Sequence, residues 1–408
     1  MRMNKKKEVV PKLRFPEYIG NKLKITKLGK ISSIVKEKAG ENEYTLMSVT
    51  SGVGLIPQAE KFGREIAGDS YKNYIVIKKY DFAYNKSATK QFPEGYISML
   101  EKFDIAAVPN SIFTCFRITD NEAYPPFFDY LWHNNYHGHW LRKYIEVGAR
   151  AHGALSVDTK HLWSMPLALP DFNEQQKIAD CLSSIDDLIG AESRKLKALE
   201  KYKKGLMQKL FPAEGKTLPE WRFPEFSDGD GWIKTSLSQI CIMQAGKFIN
   251  SSEISDEQEN NMYPCYGGNG LRGYTLTHNC SGDHPLIGRQ GALCGNVTFA
   301  TGNFYATEHA IVVTANKNID EKWLYYLLDY LQLNQYATGQ AQPGLSVQTL
   351  EKVTAIYPGE VEEQKKIANC LSEIDAIIAE QSNKVERLKA HKKGLLQGLF
   401  PSLKEADV

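Results

Sequence analysis

Glu174-Gln175-Gln176-Lys177-Ile178-Ala179-Asp180-Cys181-Leu182-Ser183-Ser184-Ile185-Asp186 opens a segment that closes as Lys203-Lys204-Gly205-Leu206-Met207-Gln208-Lys209-Leu210-Phe211-Pro212. The chain then repeats it, from Glu363-Gln364 to Leu399-Phe400-Pro401. At a constant offset of 189, 22 of 39 positions are identical, with no gap. In the first copy Ile178, Leu182, Ile185, Ile189, Glu192, Leu196, Leu199, Lys203, Leu206 and Leu210 step by four and three. In the second, Ile367, Leu371, Ile374, Ile378, Gln381, Val385, Leu388, Lys392, Leu395 and Leu399 do the same. That spacing is a heptad seam, with Glu192/Gln381 and Lys203/Lys392 as its polar interruptions. A seam this narrow needs a partner helix, and the other copy in the same chain supplies one. A zipper between two chains is the competing reading. From Ile178 to Leu210 the helix would run ~48 Å at ~1.5 Å per residue. Gly205 and Gly394 weaken each helix near its end, and Pro212 and Pro401 stop it.

Outward from the helices the flanks repeat too. Arg14-Phe15-Pro16-Glu17-Tyr18 is echoed by Arg222-Phe223-Pro224-Glu225-Phe226, and Leu155-Ser156-Val157 by Leu345-Ser346-Val347. The intervening stretches share this frame but little internal sequence. The predicted plan is a module over 1–170, a helix over 171–212, a second module over 213–358 and a second helix over 359–408. The modules read as mixtures of short strands and turns, with main helices over 121–147 and 320–336. The fold class is therefore α+β. A duplicated scaffold holding two divergent modules suggests one task performed on two different targets.

Composition narrows the classes. At ~150 residues per domain, 408 residues make two or three domains. Hydrophobic residues at 42% and aromatics at 11% are enough for packed cores. No apolar run approaches the ~18 residues of a membrane span. Met1-Arg2-Met3-Asn4-Lys5-Lys6-Lys7 has no apolar stretch behind it, so no secretory signal is read there. Seven cysteines with no C-x-x-C pair argue against a disulfide framework or zinc ribbon and fit a reducing cytoplasm. Net charge is +2, but unevenly spread: residues 1–170 hold 25 Lys+Arg against 17 Asp+Glu, and 213–359 hold 9 against 15. The first module could meet a polyanion; the second shows no such bulk signal.

Motifs that imitate catalytic or cofactor sites lack their context. Gly268-Asn269-Gly270-Leu271-Arg272-Gly273 matches a dinucleotide fingerprint, but no helix follows it, so a turn is expected. Tyr124-Pro125-Pro126-Phe127 resembles an amino-methyltransferase signature without its leading Asn or Asp, and reads as a helix entry. Gly215-Lys216-Thr217 lacks the upstream glycine of a phosphate loop. His133, His137 and His139 match no metal-ligand pattern, and Cys181 and Cys370 read as packing residues. The sequence reads as non-catalytic and metal-free.

What remains is polar loop chemistry suited to bases and phosphates. Arg reads guanine, Asn and Gln read adenine, and Lys mostly meets phosphate. The first module offers Tyr84, Asn85, Lys86 and Lys90 in Asp81–Lys90, and Arg150 and His152 in a second loop. The second offers Lys247, Arg272, Arg289, Gln290, Gln340 and Gln342. Lys247, Arg272 and Arg289 are expected to gather on one face, because that module is otherwise acidic.

With these residues in view, the chain resembles a type I restriction–modification specificity (S) subunit over nearly its whole length. The resemblance rests on R-F-P-E-[YF] at each module start, D-F-A-Y-N-K at 81–86, G-A-R-A-H-G-A-L-S-V at 148–157, Y-G-G-N-G-L-R-G-Y at 266–274, G-R-Q-G at 288–291, T-G-Q-A-Q-P-G-L-S-V at 338–347 and the two repeated helices. It implies two target recognition domains, each reading half of an asymmetric bipartite site in double-stranded DNA. The helices would pair as an antiparallel coiled coil with pseudo-two-fold symmetry, set the spacing of the half-sites and dock two modification (M) subunits. Those subunits would bring S-adenosylmethionine and methylate adenine N6. Restriction (R) subunits would add ATP- and Mg-dependent cleavage. The chain itself would hold no catalytic residue and no cofactor. Half-sites one turn apart lie ~34 Å from each other, within reach of a ~48 Å helix pair. Competing readings are a stand-alone DNA- or RNA-binding protein, a methyltransferase with unrecognised motifs and a coiled-coil adaptor.

Overall fold

The computed structural model describes residues 10–66, 68–145, 155, 158–291, 293–339 and 343–401. It forms two compact units, Met1–Glu192 with Lys384–Val408, and Ser193–Asn383. The divide passes through both long helices, Phe172–Leu210 and Val361–Leu399, rather than at their ends.

In the first unit the module closes on its own ends. Its entry strand Lys24–Lys27 pairs antiparallel with its exit strand Pro166–Leu169, Lys24 opposite Leu169. One helical turn, Leu28–Ile31, buries Leu28 and Ile31 and leads into the strand Ser32–Ile34. That strand starts an antiparallel sheet ordered Ser32–Ile34, Phe113–Ile118, Phe82–Asn85, Tyr96–Met99. The helix Pro125–His133, begun by prolines at its first positions, buries Phe127, Phe128, Leu131 and Trp132 in one core with Phe82 and Phe116 of the sheet. Two further strand pairs, Met47–Thr50 with Gly54–Pro57 and Ile75–Lys78 with Ile105–Val108, build a second core around Val49, Ile77 and Ala83.

The second unit repeats the frame. Ile233–Ser236 pairs antiparallel with Thr354–Tyr357, and the turn Leu237–Ile240 leads into Cys241–Ala245. The sheet is ordered Cys241–Ala245, Ala310–Ala315, His284–Gly288, Val297–Ala300, again all antiparallel. In both modules the first strand lies beside the last, followed by the two middle ones, and a helix comes next in the chain. Here that helix is Glu321–Tyr330, whose Asp320 cap accepts from the Trp323 amide at 2.8 Å. A second, mixed sheet is ordered Gly270–Thr275, Tyr263–Gly267, Asn303–Ala306, Cys280–Ser281, and has no counterpart among the described residues of the first module. The helices predicted over 121–147 and 320–336 are shorter than that. Asn135 (φ 54°) and Gln332 (φ 48°) take the left-handed conformation, which an α-helix cannot continue through.

Every seam position of both long helices is buried or half-buried. In the first unit Ile178 and Leu182 share a core with Leu399 and Phe400, and Asp186 and Glu192 pair with Lys392 and Lys384. Rising numbers on one helix meet falling numbers on the other, so the segments run antiparallel. In the second unit Leu206, Leu210 and Phe211 pack with Ile367 and Leu371.

The repeated polar residues serve as joints. Lys392 meets Asp186 at 2.6 Å and lies 5.3 Å from the Tyr130 ring, whose hydroxyl donates to Asp186 at 3.0 Å. Lys203 meets Asp375 at 2.6 Å and lies 5.3 Å from the Tyr326 ring, whose hydroxyl donates to Asp375 at 2.7 Å. Burial and the neighbouring carboxylate push both phenols up. The opening Glu-Gln of each helix is a second joint. Glu174 takes a bidentate pair from Arg14 (2.7 and 2.7 Å), and Glu363 one from Arg222 (2.8 and 2.8 Å). Gln175 donates to the Pro170 and Glu122 carbonyls and accepts from the Tyr124 amide. Gln364 does the same with Pro358, Asn318 and Asp320. Each long helix is thereby fastened to the entry, exit and main helix of one module.

Candidate nucleic-acid interface

In the first module the 81–90 segment begins with a buried anchor. Asp81 is fully buried and accepts from Arg117 at 2.5 and 2.6 Å and from the Lys78 amide at 2.7 Å. The Asp81 hydrogen bond raises the Arg117 pKa. The strand Phe82–Asn85 then runs between two sheet neighbours. Packing covers both its faces, with Phe82 and Tyr84 in one core and Ala83 in the other. Tyr84 is 1% exposed and donates to the Glu94 carbonyl at 2.8 Å; burial raises its pKa. Asn85 is buried, donating to the Val49 carbonyl and accepting from the Ser87 amide. The structure therefore corrects the reading of these two as surface contacts: both side chains belong to the interior. Lys86 is half-buried and Lys90 exposed. Arg150 and His152 lie outside the described residues. Leu155, the described residue of their loop, donates its amide to the Lys86 carbonyl at 2.9 Å.

The second module holds the matching bond. Leu345 donates its amide to the Arg289 carbonyl at 2.9 Å. Leu155 and Leu345 open the repeated L-S-V, and Lys86 and Arg289 each follow the second strand of the sheet, so the two cations are structural equivalents. Gln290 is exposed and its backbone bridges Gly344. Gln340 and Gln342 lie outside the described residues.

The backbones of Lys247 and Arg289 are both bonded to one loop, residues 306–309, and Arg272 lies beside Gly267 next to it. Lys247 donates its amide to the Ala306 carbonyl and Arg289 its amide to the His309 carbonyl. The Arg272 stem lies over Gly267, which in turn adjoins Thr307. Glycine is required for this approach: a Cβ on Gly288 would sit 2.0 Å from the Gly268 oxygen, and one on Gly246 2.2 Å from the Ala306 oxygen. Lys247 and Arg272 are exposed, and Arg272 donates to the Ser251 hydroxyl at 2.9 Å. The Gly268–Gly273 stretch is the tip and second strand of a hairpin, as expected of a turn.

Phe248, which the sequence reading did not single out, stands 70% exposed next to Lys247. A lone exposed aromatic leaves no periodic trace. The His cluster is dispersed: His137 is buried, with burial lowering its pKa to about 4, His133 lies 3.6 Å from Asp129, and His139 is exposed. Among the described residues no group of His, Cys, Asp or Glu is placed to hold a metal ion, and no helix is long and apolar enough to cross a membrane.

A family model for the type I restriction modification DNA specificity domain matches the chain twice, over residues 36–201 and 229–387. The EcoprrI type I restriction enzyme specificity subunit of Escherichia coli is 33% identical over 314 residues, covering 74% of this chain and 76% of that one. The MjaVIII specificity subunit of Methanocaldococcus jannaschii is 26% identical over 285 residues, covering 63% and 66%. Among solved structures, the S subunit of a type I restriction–modification system from M. genitalium superposes with a TM-score of 0.62 at 18% identity, covering 96% of this chain and 99% of that one. A chain from a study of type I R-M complex assembly and conformational transition gives 0.55 at 18%, covering 93% and 97%. At that identity the structural likeness speaks for the fold.

Proposed function

The chain belongs to the type I restriction–modification DNA specificity family and is a specificity subunit of such a system, and from that premise we propose that it reads a bipartite site in double-stranded DNA, one half with each module. The observation that supports this best is the equivalence of Lys86 and Arg289. Two modules with little common sequence share one sheet order and put a cation at the same place, each held by the leucine of the same echo. Around that constant point the loops differ, as they must if each module reads a different half-site. Lys86, Lys90, Lys247, Arg272, Arg289 and Gln290 are the described residues assigned to DNA, together with Arg150, His152, Gln340 and Gln342. Cations on phosphates would fix position, and Arg and Gln on base edges would give sequence.

The two long helices, 39 residues each, set the separation of the half-sites and dock two modification subunits. S-adenosylmethionine belongs to those subunits, and ATP and Mg to restriction subunits, while this chain is non-catalytic and acts in the cytoplasm. The test is a genome-wide map of N6-methyladenine in cells that hold the partner modification subunit, with and without this chain. A split motif methylated only when the chain is present is the expected result. An active, soluble complex that methylates no chain-dependent motif would overturn the reading.

A further inference from the structure

Phe248 sits on a loop that is fixed on both sides while its ring stays in water. Before it, the Gly246 amide donates to the Ala310 carbonyl and the Lys247 amide to the Ala306 carbonyl, both at 2.9 Å. At the residue itself, the Tyr305 hydroxyl donates to the Phe248 carbonyl at 3.0 Å. After it, Ile249 is buried, Arg272 donates to Ser251, and Asn250 donates to Glu253 at 2.8 Å. A loop this well held could have turned its ring inward, as it does Ile249, yet Phe248 remains 70% exposed. Lys247 precedes it in sequence, and Arg272 is tied to the same loop through Ser251; both cations are exposed. The module is acidic overall, with 9 Lys+Arg against 15 Asp+Glu over 213–359, and carboxylates adjoin this loop as well: Glu253 accepts from Asn250, and Glu253 and Glu308 both act on Tyr305. Lys247 and Arg272 are the positive groups the loop offers to a phosphate. An exposed ring on a loop that carries a lysine and is bonded by an arginine suits a nucleic acid better than an apolar protein surface. Lysine is depleted in protein interfaces, whereas base faces accept an aromatic ring and phosphates accept the flanking charges.

We propose that Phe248 is an apolar wedge that stacks against a base or enters a base step of the half-site read by the second module, with Lys247 and Arg272 on the adjoining phosphates. The inference rests on the DNA-reading function proposed above. It makes Phe248 a specificity-determining residue for one half-site only, through the ease with which that step unstacks.

The test uses the complex assembled with its modification subunits and a duplex carrying the motif found by methylation mapping, with 2-aminopurine placed in turn at each step of the half-site. Wild type should raise the fluorescence at one step apart from the target adenine, which the modification subunit itself takes out of the stack. Phe248→Ala should abolish that rise and weaken binding by about tenfold to a hundredfold, the range of losing one stacked base. Phe248→Leu should keep part of both, because leucine can also wedge. The methylation motif of the Phe248→Ala complex should relax in one half and stay intact in the other. Binding and fluorescence unchanged within about twofold would overturn the wedge and leave the DNA-reading function standing. Failure of the Phe248→Ala complex to assemble would also overturn it, by making Phe248 a contact to a protein partner. A wild-type complex with no motif would instead remove the DNA-reading function, and the wedge with it.

Discussion

Replacing Arg222 by Met tests the joint that fastens the second module to the second long helix. The Arg222 guanidinium is 13% exposed and the Glu363 carboxylate 1% exposed. The two share a bidentate pair at 2.8 Å, and Arg222 also donates to the Gly229 and Asp230 carbonyls. Methionine keeps much of the apolar stem but removes the charge, leaving the buried carboxylate to the Trp232 indole N–H, which donates to it at 3.1 Å. Breaking one side of a buried ion pair costs about 3–5 kcal/mol, chiefly because the other charge is stranded. For a unit of this size that corresponds to a fall of roughly 6–20 °C in Tm. Two comparisons separate the mechanism from general damage. Arg222→Lys should keep part of the stability, since ammonium cannot reproduce the planar fork. Arg222→Met with Glu363→Gln should be more stable than Arg222→Met alone, because the stranded charge is gone. The assay is thermal unfolding of the purified full chain, followed for the transition of the second unit. A loss below about 1 kcal/mol, or a double variant no better than the single one, would refute the reasoning.

Other consequences follow from the same geometry. Lys203→Met should cost only about 1 kcal/mol in unfolding experiments, because Asp375 is 34% exposed and keeps the Tyr326 hydroxyl. Lys86→Ala or Arg289→Ala should weaken DNA binding by the assembled complex and lower the slope of log affinity against log salt by about one for each phosphate the side chain neutralises; an unchanged slope would separate that residue from phosphate. His137, neutral in the fold, has a pKa lowered by burial from 6.5 to about 4. The unfolded chain takes up a proton below 6.5 that the folded one refuses, so the contribution is full above 6.5 and is lost as pH falls toward about 4. Tm measured across that range should fall less steeply in His137→Gln than in the wild type.

The seam was legible because the heptad repeat is a local, periodic signal, and the duplication made it visible twice. The joints were not. Arg14 and Glu174 are 160 residues apart, and Arg222 and Glu363 are 141 apart, and no local pattern links residues at such distances. Their membership in repeated motifs was the available hint. The common sheet order was hidden because strand order depends on which edges meet, not on the shared residues. Tyr84 and Asn85 look like a polar, base-reading loop in sequence. They are interior because their strand lies mid-sheet with a packed core on each side, a fact that alternation alone does not reveal. Lys86 was singled out from the residue types of its loop, but its equivalence to Arg289 required the fold.

The most direct measurement of the central claim is a map of N6-methyladenine from cells holding the partner modification subunit and a chain whose residues 237–353 are replaced by the matching segment of another family member. If each module reads its own half-site, one half of the split motif changes and the other is retained at the same spacing. A motif that changes in both halves, or in neither, would contradict the account.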